Sequence, residues 1–270
     1  MNLKIHIIDA FTDVRFKGNS AAVIITDSWL SDELMQSIAV ENNLSETAFL
    51  KQLTPKQYQI RWFSPLTEID FCGHATLAAS FVIFKENQTV EEISFMAKAV
   101  GELTVTKGHD GYIQMCFPNL VPKAVTDVPQ DLLDGLSIKP VEVLLNQQAY
   151  IVVYRDEAEV LSVQKSDEHL KRLAPFDVAV TASTDSGKRE YDFVSRYFWP
   201  ANGGGEDPVT GSIHAGLAPY WSQKLAKSEL IAYQASTRGG LLLCRVEADK
   251  VYISGKAVQY LEGVIYMGSI

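Results

Sequence analysis

Cys72 and His74 stand on either side of Gly73 in "FCGHATLAAS" (71–80), and a run of small and apolar residues follows them. Three chemistries fit this stretch: half of a metal site, a thiol–imidazole nucleophile, or the capped start of a buried helix. Carboxylates able to exchange a proton lie in two other segments. "GGGEDPVTGS" (203–212) offers Glu206 and Asp207, and "NLSETAFL" (43–50) offers Glu46. Asp207 precedes Pro208, which biases it to an extended conformation and equally suits it to capping a turn. Glu46 shares one side of an expected strand with Ala48 and Leu50, while Thr47 and Phe49 share the other. These residues alone do not fix which side faces inward.

A metal site finds little support. Cys72 and His74 are only two positions apart, neither HExxH nor CxxC occurs, and the five histidines are dispersed. "NGGGEDP" is glycine-rich but lacks the lysine and spacing of a phosphate loop, and no GxGxxG follows a strand. Cys72 as a nucleophile has no orienting partner in the sequence. His74, in the first turn of the expected helix, is placed where the helix N-terminus favours the neutral ring, which can give or take one proton.

The elements that must position these groups come in two copies. "RWFSP" (61–65) overlies "RYFWP" (196–200) at an offset of 135 residues, half the chain length of 270. Gly73 overlies Gly211 at an offset of 138, and "GELTVTKGHDGYI" (101–113) resembles "GGLLLCRVEADKVYI" (239–253) at 139 to 140. The offset drifts in one direction, as small loop insertions would produce. We read two copies of one α+β unit, with a linker within "FPNLVPKAVTDVPQD" (117–131). The expected domains are 1–117, joined by about 262–270, and 118–261.

Runs rich in β-branched and aromatic residues read as strands: "KIHIIDAF", "QYQIRWF", "LTVTK", "YIQMCF", "YIVVY", "DFVSRYF", "LLLCRVE" and "VYISGKAV". "SDELMQSIAVEN" (31–42) reads as an amphipathic helix capped by Ser31. The segments opened by Gly73 and Gly211 carry almost no charge, and a helix apolar or small all round is a buried one. Each unit is therefore expected to wrap a curved, barrel-like sheet around its own central helix. Both helix starts present unpaired N–H groups that favour an anion, and a carboxylate or an enolate-like oxygen would suit a cleft shared by them. Caps supplied by Thr210 or Ser212 are the competing arrangement. His214, two residues further in than the position matching His74, reads as structural.

Bulk composition excludes several function classes. The formal net charge is −9, and no Lys/Arg cluster provides the basic face that nucleic acid or an anionic membrane would need. Three separated cysteines make neither a disulfide framework nor a zinc ribbon. The opening "MNLKIHIIDAF" does not read as a secretory leader and no apolar run approaches the length of a membrane span, so a cytoplasmic protein is expected.

The blocks "DAFT" (9–12), "GNSAAV" (18–23), "NLSETAF" (43–49), "FSPLTEIDFCGHATLA" (63–78) and "RYFWPANGGGEDPVTGSIHAGL" (196–217) resemble the PhzF family. That family is named for a phenazine-biosynthesis isomerase and has the diaminopimelate-epimerase-like fold. The resemblance implies two similar domains, each a β-barrel-like sheet around a central helix, with the active site between them. It implies a cofactor-free isomerase that shifts a proton on a small carboxylate-bearing substrate, working as a homodimer. Its catalytic glutamate matches Glu46, its supporting histidine and aspartate match His74 and Asp207, and its serine matches Ser212. N–H groups at Gly73, Gly211 and Ser212 would hold the substrate carboxylate. Two positions depart from the usual pattern: Ser20 stands where the family has proline, and Ile213 where it often has alanine. The related epimerases use two opposed cysteines. Cys72 falls where one would stand, but Asp207–Ser212 supplies no second. The alternatives are an epimerase or racemase of an amino-acid-like acid, and a non-catalytic protein that binds small acids.

Overall fold

The computed structural model of the chain describes residues 2–185 and 189–267. It separates into two units: residues up to Cys116 together with those from Ser254 onward, and Phe117–Ile253. The first half of the chain forms β1 (Asn2–Ala10), β2 (Asn19–Thr26), α1 (Asp32–Asn42), β3 (Glu46–Thr54), β4 (Gln57–Phe63) and β5 (Glu68–Ile69). It continues with α2 (Gly73–Glu86), β6 (Glu92–Ala97), β7 (Gly101–Lys107) and β8 (Ile113–Pro118). Next come β9 (Lys123–Ala124), α3 (Gln130–Asp134), β10 (Glu142–Leu145), β11 (Ala149–Val153), α4 (Glu157–Ser162) and α5 (Asp167–Leu170). They are followed by β12 (Asp177–Ser183), β13 (Phe193–Phe198), β14 (Glu206–Asp207), α6 (His214–Leu225), β15 (Glu229–Gln234), β16 (Gly240–Val246) and β17 (Lys250–Gly255). The last strand, β18 (Ala257–Tyr266), returns to the first unit and pairs with β1. No helix of the described residues is long and apolar enough to cross a membrane.

In the first unit the strands pair in the order β18–β1–β2–β3–β4–β6–β7–β8, with β5 beside the end of β4. The β2/β3 and β4/β6 pairs are parallel. A parallel pair needs a crossover, and α1 and α2 lie in the two crossovers. The second unit repeats the order from β18 to β7 as β9–β10–β11–β12–β13–β15–β16, with β14 beside β13. Its parallel pairs are β11/β12 and β13/β15.

The register makes the repeat residue-specific. Thr47 pairs with Phe63, and Val178 with Phe198, the two phenylalanines matched in the sequence. Glu46 lies beside Ala21, and Asp177 beside Ala149. Asp177 is thus the repeat counterpart of Glu46. By the same register Ile69, paired with Trp62, is the counterpart of Asp207, paired with Tyr197.

α1 is amphipathic. Ser31 Oγ accepts a hydrogen bond from Leu34 N, and Met35, Ile38 and Ala39 are buried. These three pack on Ala22, Ile24, Phe49 and Phe63. One face of the sheet therefore meets α1. The opposite face carries Ala21, Val23, Ala48 and Leu50, all fully buried, and α2 packs there. Every residue of α2 from Gly73 to Ser80 is buried. Ala75, Ala78 and Ala79 have no exposed surface and bring the strands close to the helix backbone. Ala79→Leu would overpack this contact at a cost of about 1–3 kcal/mol.

Two expectations need adjustment. The second buried helix begins at His214 rather than Gly211. Gly211–Ile213 form a tighter turn, in which the N–H groups of His214, Ala215 and Gly216 reach carbonyls three residues back at 3.1, 3.1 and 2.9 Å. "VYISGKAV" falls on two strands, β17 and β18, broken at Lys256, whose carbonyl turns away to accept from Thr12 N at 3.1 Å.

Candidate active site

Glu46 is the first residue of β3, on the side of the strand that faces α2. His74 is the second residue of α2, and its Nε2 lies 2.8 Å from Glu46 Oε2. The contact is close, and no other described group donates a hydrogen bond to the buried Glu46 Oε2. The two side chains are 12% and 6% exposed, so little water screens the pair. On its other edge His74 Nδ1 meets Asn19 Nδ2 at 3.1 Å and Cys72 Sγ at 3.4 Å. The Ser45 hydroxyl donates to Asn19 Oδ1 at 3.2 Å. With the amide in this orientation Nδ1 accepts, and the ring hydrogen sits on Nε2, facing Glu46.

Burial works against a protonated His74 ring. Negative charge at Cys72 and Glu46 works for it and prevails, holding the pKa well above the ordinary histidine value. Burial, with Glu46 adding to it, pushes the Cys72 thiol up to about 11, so at neutral pH the thiol is uncharged. A helix start alone favours the neutral ring, as expected from sequence; the Cys72 and Glu46 side chains beside it raise the pKa instead. Glu46, Cys72 and His74 also bring three metal-donor atoms within 4.8 Å of one another, a grouping the Cys-Gly-His spacing could not reveal. A cation there would have to displace a thiol proton held to about pH 11.

Both helix starts lack ordinary caps. α2 has no side-chain cap, and the N–H groups of Gly73 and His74 donate to no described group. The same holds for Gly211, Ser212 and Ile213 ahead of α6. Thr210 and Ser212 are otherwise engaged: the Thr210 hydroxyl donates to Asp207 Oδ2, and Ser212 Oγ accepts from Gln148 Nε2 at 3.0 Å.

In the second unit a buried glutamine pins the Asp207–Gly211 turn. Gln234 Nε2 donates to the Asp207 carbonyl at 2.9 Å, and Gln234 Oε1 accepts from Thr210 N at 2.9 Å. Arg196 grips Glu206 through two hydrogen bonds of 2.8 and 3.0 Å, and Arg61 grips Glu68 through two of 2.6 Å. Each clamp holds the short strand that leads into a helix start. His214 is buried, and its Nδ1 donates to the Thr210 carbonyl at 2.8 Å.

The structure thus brings Glu46, Gly73 and His74 together in the first unit, and Asp207, Gly211 and Ser212 together in the second. Sequence reasoning did not single out Asn19, Gln148 or Gln234. Asn19 lies in "GNSAAV", a block that carries the family resemblance but no chemical motif of its own. The two glutamines have no motif, because strand pairing far along the chain brings them to their partners.

Residues 8–263 match the PhzC-PhzF family, described as phenazine biosynthesis-like protein. The chain is 43% identical over 267 residues to an uncharacterized isomerase of Pseudomonas aeruginosa, covering 99% of this chain and 100% of the relative. A crystal structure of a PhzF family phenazine biosynthesis protein from Enterococcus faecalis superposes with a TM-score of 0.91 at 41% identity, covering 99% and 100% of the two chains. A predicted epimerase of Pseudomonas aeruginosa shares the fold, with a TM-score of 0.77 at 18% identity over 98% and 100% of the chains.

Proposed function

The chain belongs to the phenazine biosynthesis-like PhzC-PhzF family and is an isomerase, and we propose that it moves a proton within a small carboxylate-bearing substrate by cofactor-independent acid/base catalysis. In this reading Glu46 takes a proton from a carbon next to an unsaturated or carbonyl group and returns it elsewhere on the same molecule. One observation carries the reading: a buried carboxylate oxygen, Glu46 Oε2, lies 2.8 Å from His74 Nε2, and no other described group donates to it. A carboxylate so placed beside a proton-bearing ring can take up a proton and give it back.

His74 supports the exchange by charge. Its ring hydrogen faces Glu46 and stabilises the carboxylate when the proton has left. Asn19 serves both states of the ring, since the same amide turned over would accept from a protonated Nδ1. Asp207 is proposed as the second acid/base group, held by the Thr210 hydroxyl and the Gln234 amide. The free N–H groups at Gly73, Gly211 and Ser212 are proposed to hold the carboxylate and the charge that develops as the proton leaves. Each helix end contributes about 0.3–2 kcal/mol to such binding.

The test is to incubate the protein with candidate small carboxylic acids in deuterated water and follow carbon-bound deuterium. Deuterium appearing at two carbons of one acid, with a shifted double bond, supports isomerisation by proton transfer. Exchange confined to one stereocentre with inversion would replace it by epimerisation. A bound acid should shift the amide resonance of the glycine at the helix start that holds it, Gly73 or Gly211. The reading also takes the protein as a cytoplasmic homodimer, and light scattering at twice the chain mass tests the second point.

A further inference from the structure

Ser212 Oγ is one end of a hydrogen-bond chain that runs to a carboxylate. Gln148 Nε2 donates to Ser212 Oγ at 3.0 Å and to Tyr197 Oη at 3.0 Å. The Tyr197 hydroxyl donates to Asp177 Oδ2 at 2.6 Å, and Asn202 Nδ2 donates to Asp177 Oδ1 at 2.7 Å. All five residues belong to the second unit.

The chain has a direction. A carboxylate only accepts, so Tyr197 spends its single hydrogen on Asp177. The phenol oxygen can then only accept from Gln148, which identifies the group facing it as the NH2 end of the amide. Both amide hydrogens are now used, one on Tyr197 and one on Ser212. The Ser212 hydroxyl hydrogen cannot point back along the chain and must be donated elsewhere. Beside it, the N–H groups of Gly211, Ser212 and Ile213 also lack acceptors among the described residues. Four donors meet at one helix start.

We propose that Gln148 is a positioning residue, which fixes Ser212 as a hydrogen-bond donor and so commits this helix start to an acceptor group, a carboxylate, on the substrate. The proposal rests on the reading that Ser212 holds the substrate. Gln148 precedes Ala149 as Ser20 precedes Ala21, and the Ser20 hydroxyl donates to Asp9.

The test uses benzoate as the probe and nitrogen-15 labelled protein, following the Gly211 and Ser212 amide resonances and the melting temperature of each variant. Gln148→Glu keeps the shape but offers acceptors, which draw the Ser212 hydrogen back. Tyr197→Phe keeps the ring and releases the amide. Wild type should show saturable shifts at both amides. Gln148→Glu should weaken benzoate about tenfold or more and Tyr197→Phe about threefold, with melting temperatures close to wild type. Ser212→Ala should weaken binding comparably to Gln148→Glu, and the Ser212→Ala/Gln148→Glu double variant less than twofold further. If Ser212→Ala weakens benzoate while Gln148→Glu and Tyr197→Phe bind as wild type, the positioning role falls and the reading of Ser212 stands. Multiplying effects in the double variant overturn it too. If Ser212→Ala binds as wild type, or wild type shows no shift at Gly211 and Ser212, the reading of Ser212 itself fails and the proposal with it.

Discussion

Asp177 occupies in the second unit the strand position that Glu46 occupies in the first, one residue ahead of the one paired with the matched phenylalanine. The two carboxylates are treated in opposite ways. Asp177 is saturated by Tyr197 and Asn202 at 2.6 and 2.7 Å. Glu46 keeps one buried oxygen whose partner among the described residues is the His74 ring alone. One frame, repeated, has become a structural anchor in one copy and the proposed proton carrier in the other.

Cys72 should be chemically quiet. Burial pushes its thiol up to about 11, so almost none is thiolate at neutral pH, and only the thiolate is nucleophilic. Iodoacetamide at pH 7.5 should leave Cys72 unlabelled in the native protein and label it in urea, as read by mass spectrometry of the tryptic peptide. Cys72→Ala should retain deuterium exchange within about fivefold. A loss approaching the 10²–10⁴-fold contribution of an acid/base group would make the thiol a participant.

His214 should confer acid sensitivity. It is buried, and burial lowers its pKa to about 4, against an unfolded value near 6.5. A depressed pKa means that its contribution is complete above pH 6.5. It declines as the unfolded chain takes up a proton, and is lost once the pH has fallen through about 4. The change amounts to about 3 kcal/mol. Urea unfolding at pH 7 and pH 4 should show wild type losing about that much more stability than His214→Gln. Equal losses would mean that the ring does not titrate with folding.

Gly18→Ala should be among the most damaging small substitutions. Gly18 has φ +65°, and a Cβ there would lie 2.1 Å from the Ala10 carbonyl oxygen. Backbone must move to relieve it, next to Asn19, which touches His74. A loss of at least about 2 kcal/mol is expected in urea unfolding. A change within about 0.5 kcal/mol would mean that the turn relaxes freely.

Much of this was legible in the sequence, and for physical reasons. The proposed chemistry sits at chain positions with local signatures: a glycine opening a helix with no charge before Lys85 at Gly73, and an acid before a proline at Asp207. The repeat was visible because Arg61 and Arg196, with Phe63 and Phe198, do the same job twice, each arginine clamping a glutamate on the next short strand. What the sequence hid depends on distant partners. Glu46 could face either way until the strand register and α1 packing fixed its side. The raised pKa of His74 depends in part on a carboxylate 28 positions earlier in the chain. Gln148 and Gln234 carry no local signal, because an isolated glutamine reads as surface until its partners are known. β12, "DVAVTAS", escaped notice because its alanines dilute the β-branched pattern.

The most direct measurement compares wild type with Glu46→Gln on an acid found to exchange in deuterated water. The substitution keeps the size of the side chain and removes its capacity to take a proton. The expected result is binding of that acid within a few-fold of wild type, with carbon–hydrogen exchange reduced about 10²–10⁴-fold. Exchange retained in the variant, or binding and exchange lost in equal measure, would contradict Glu46 as the proton carrier.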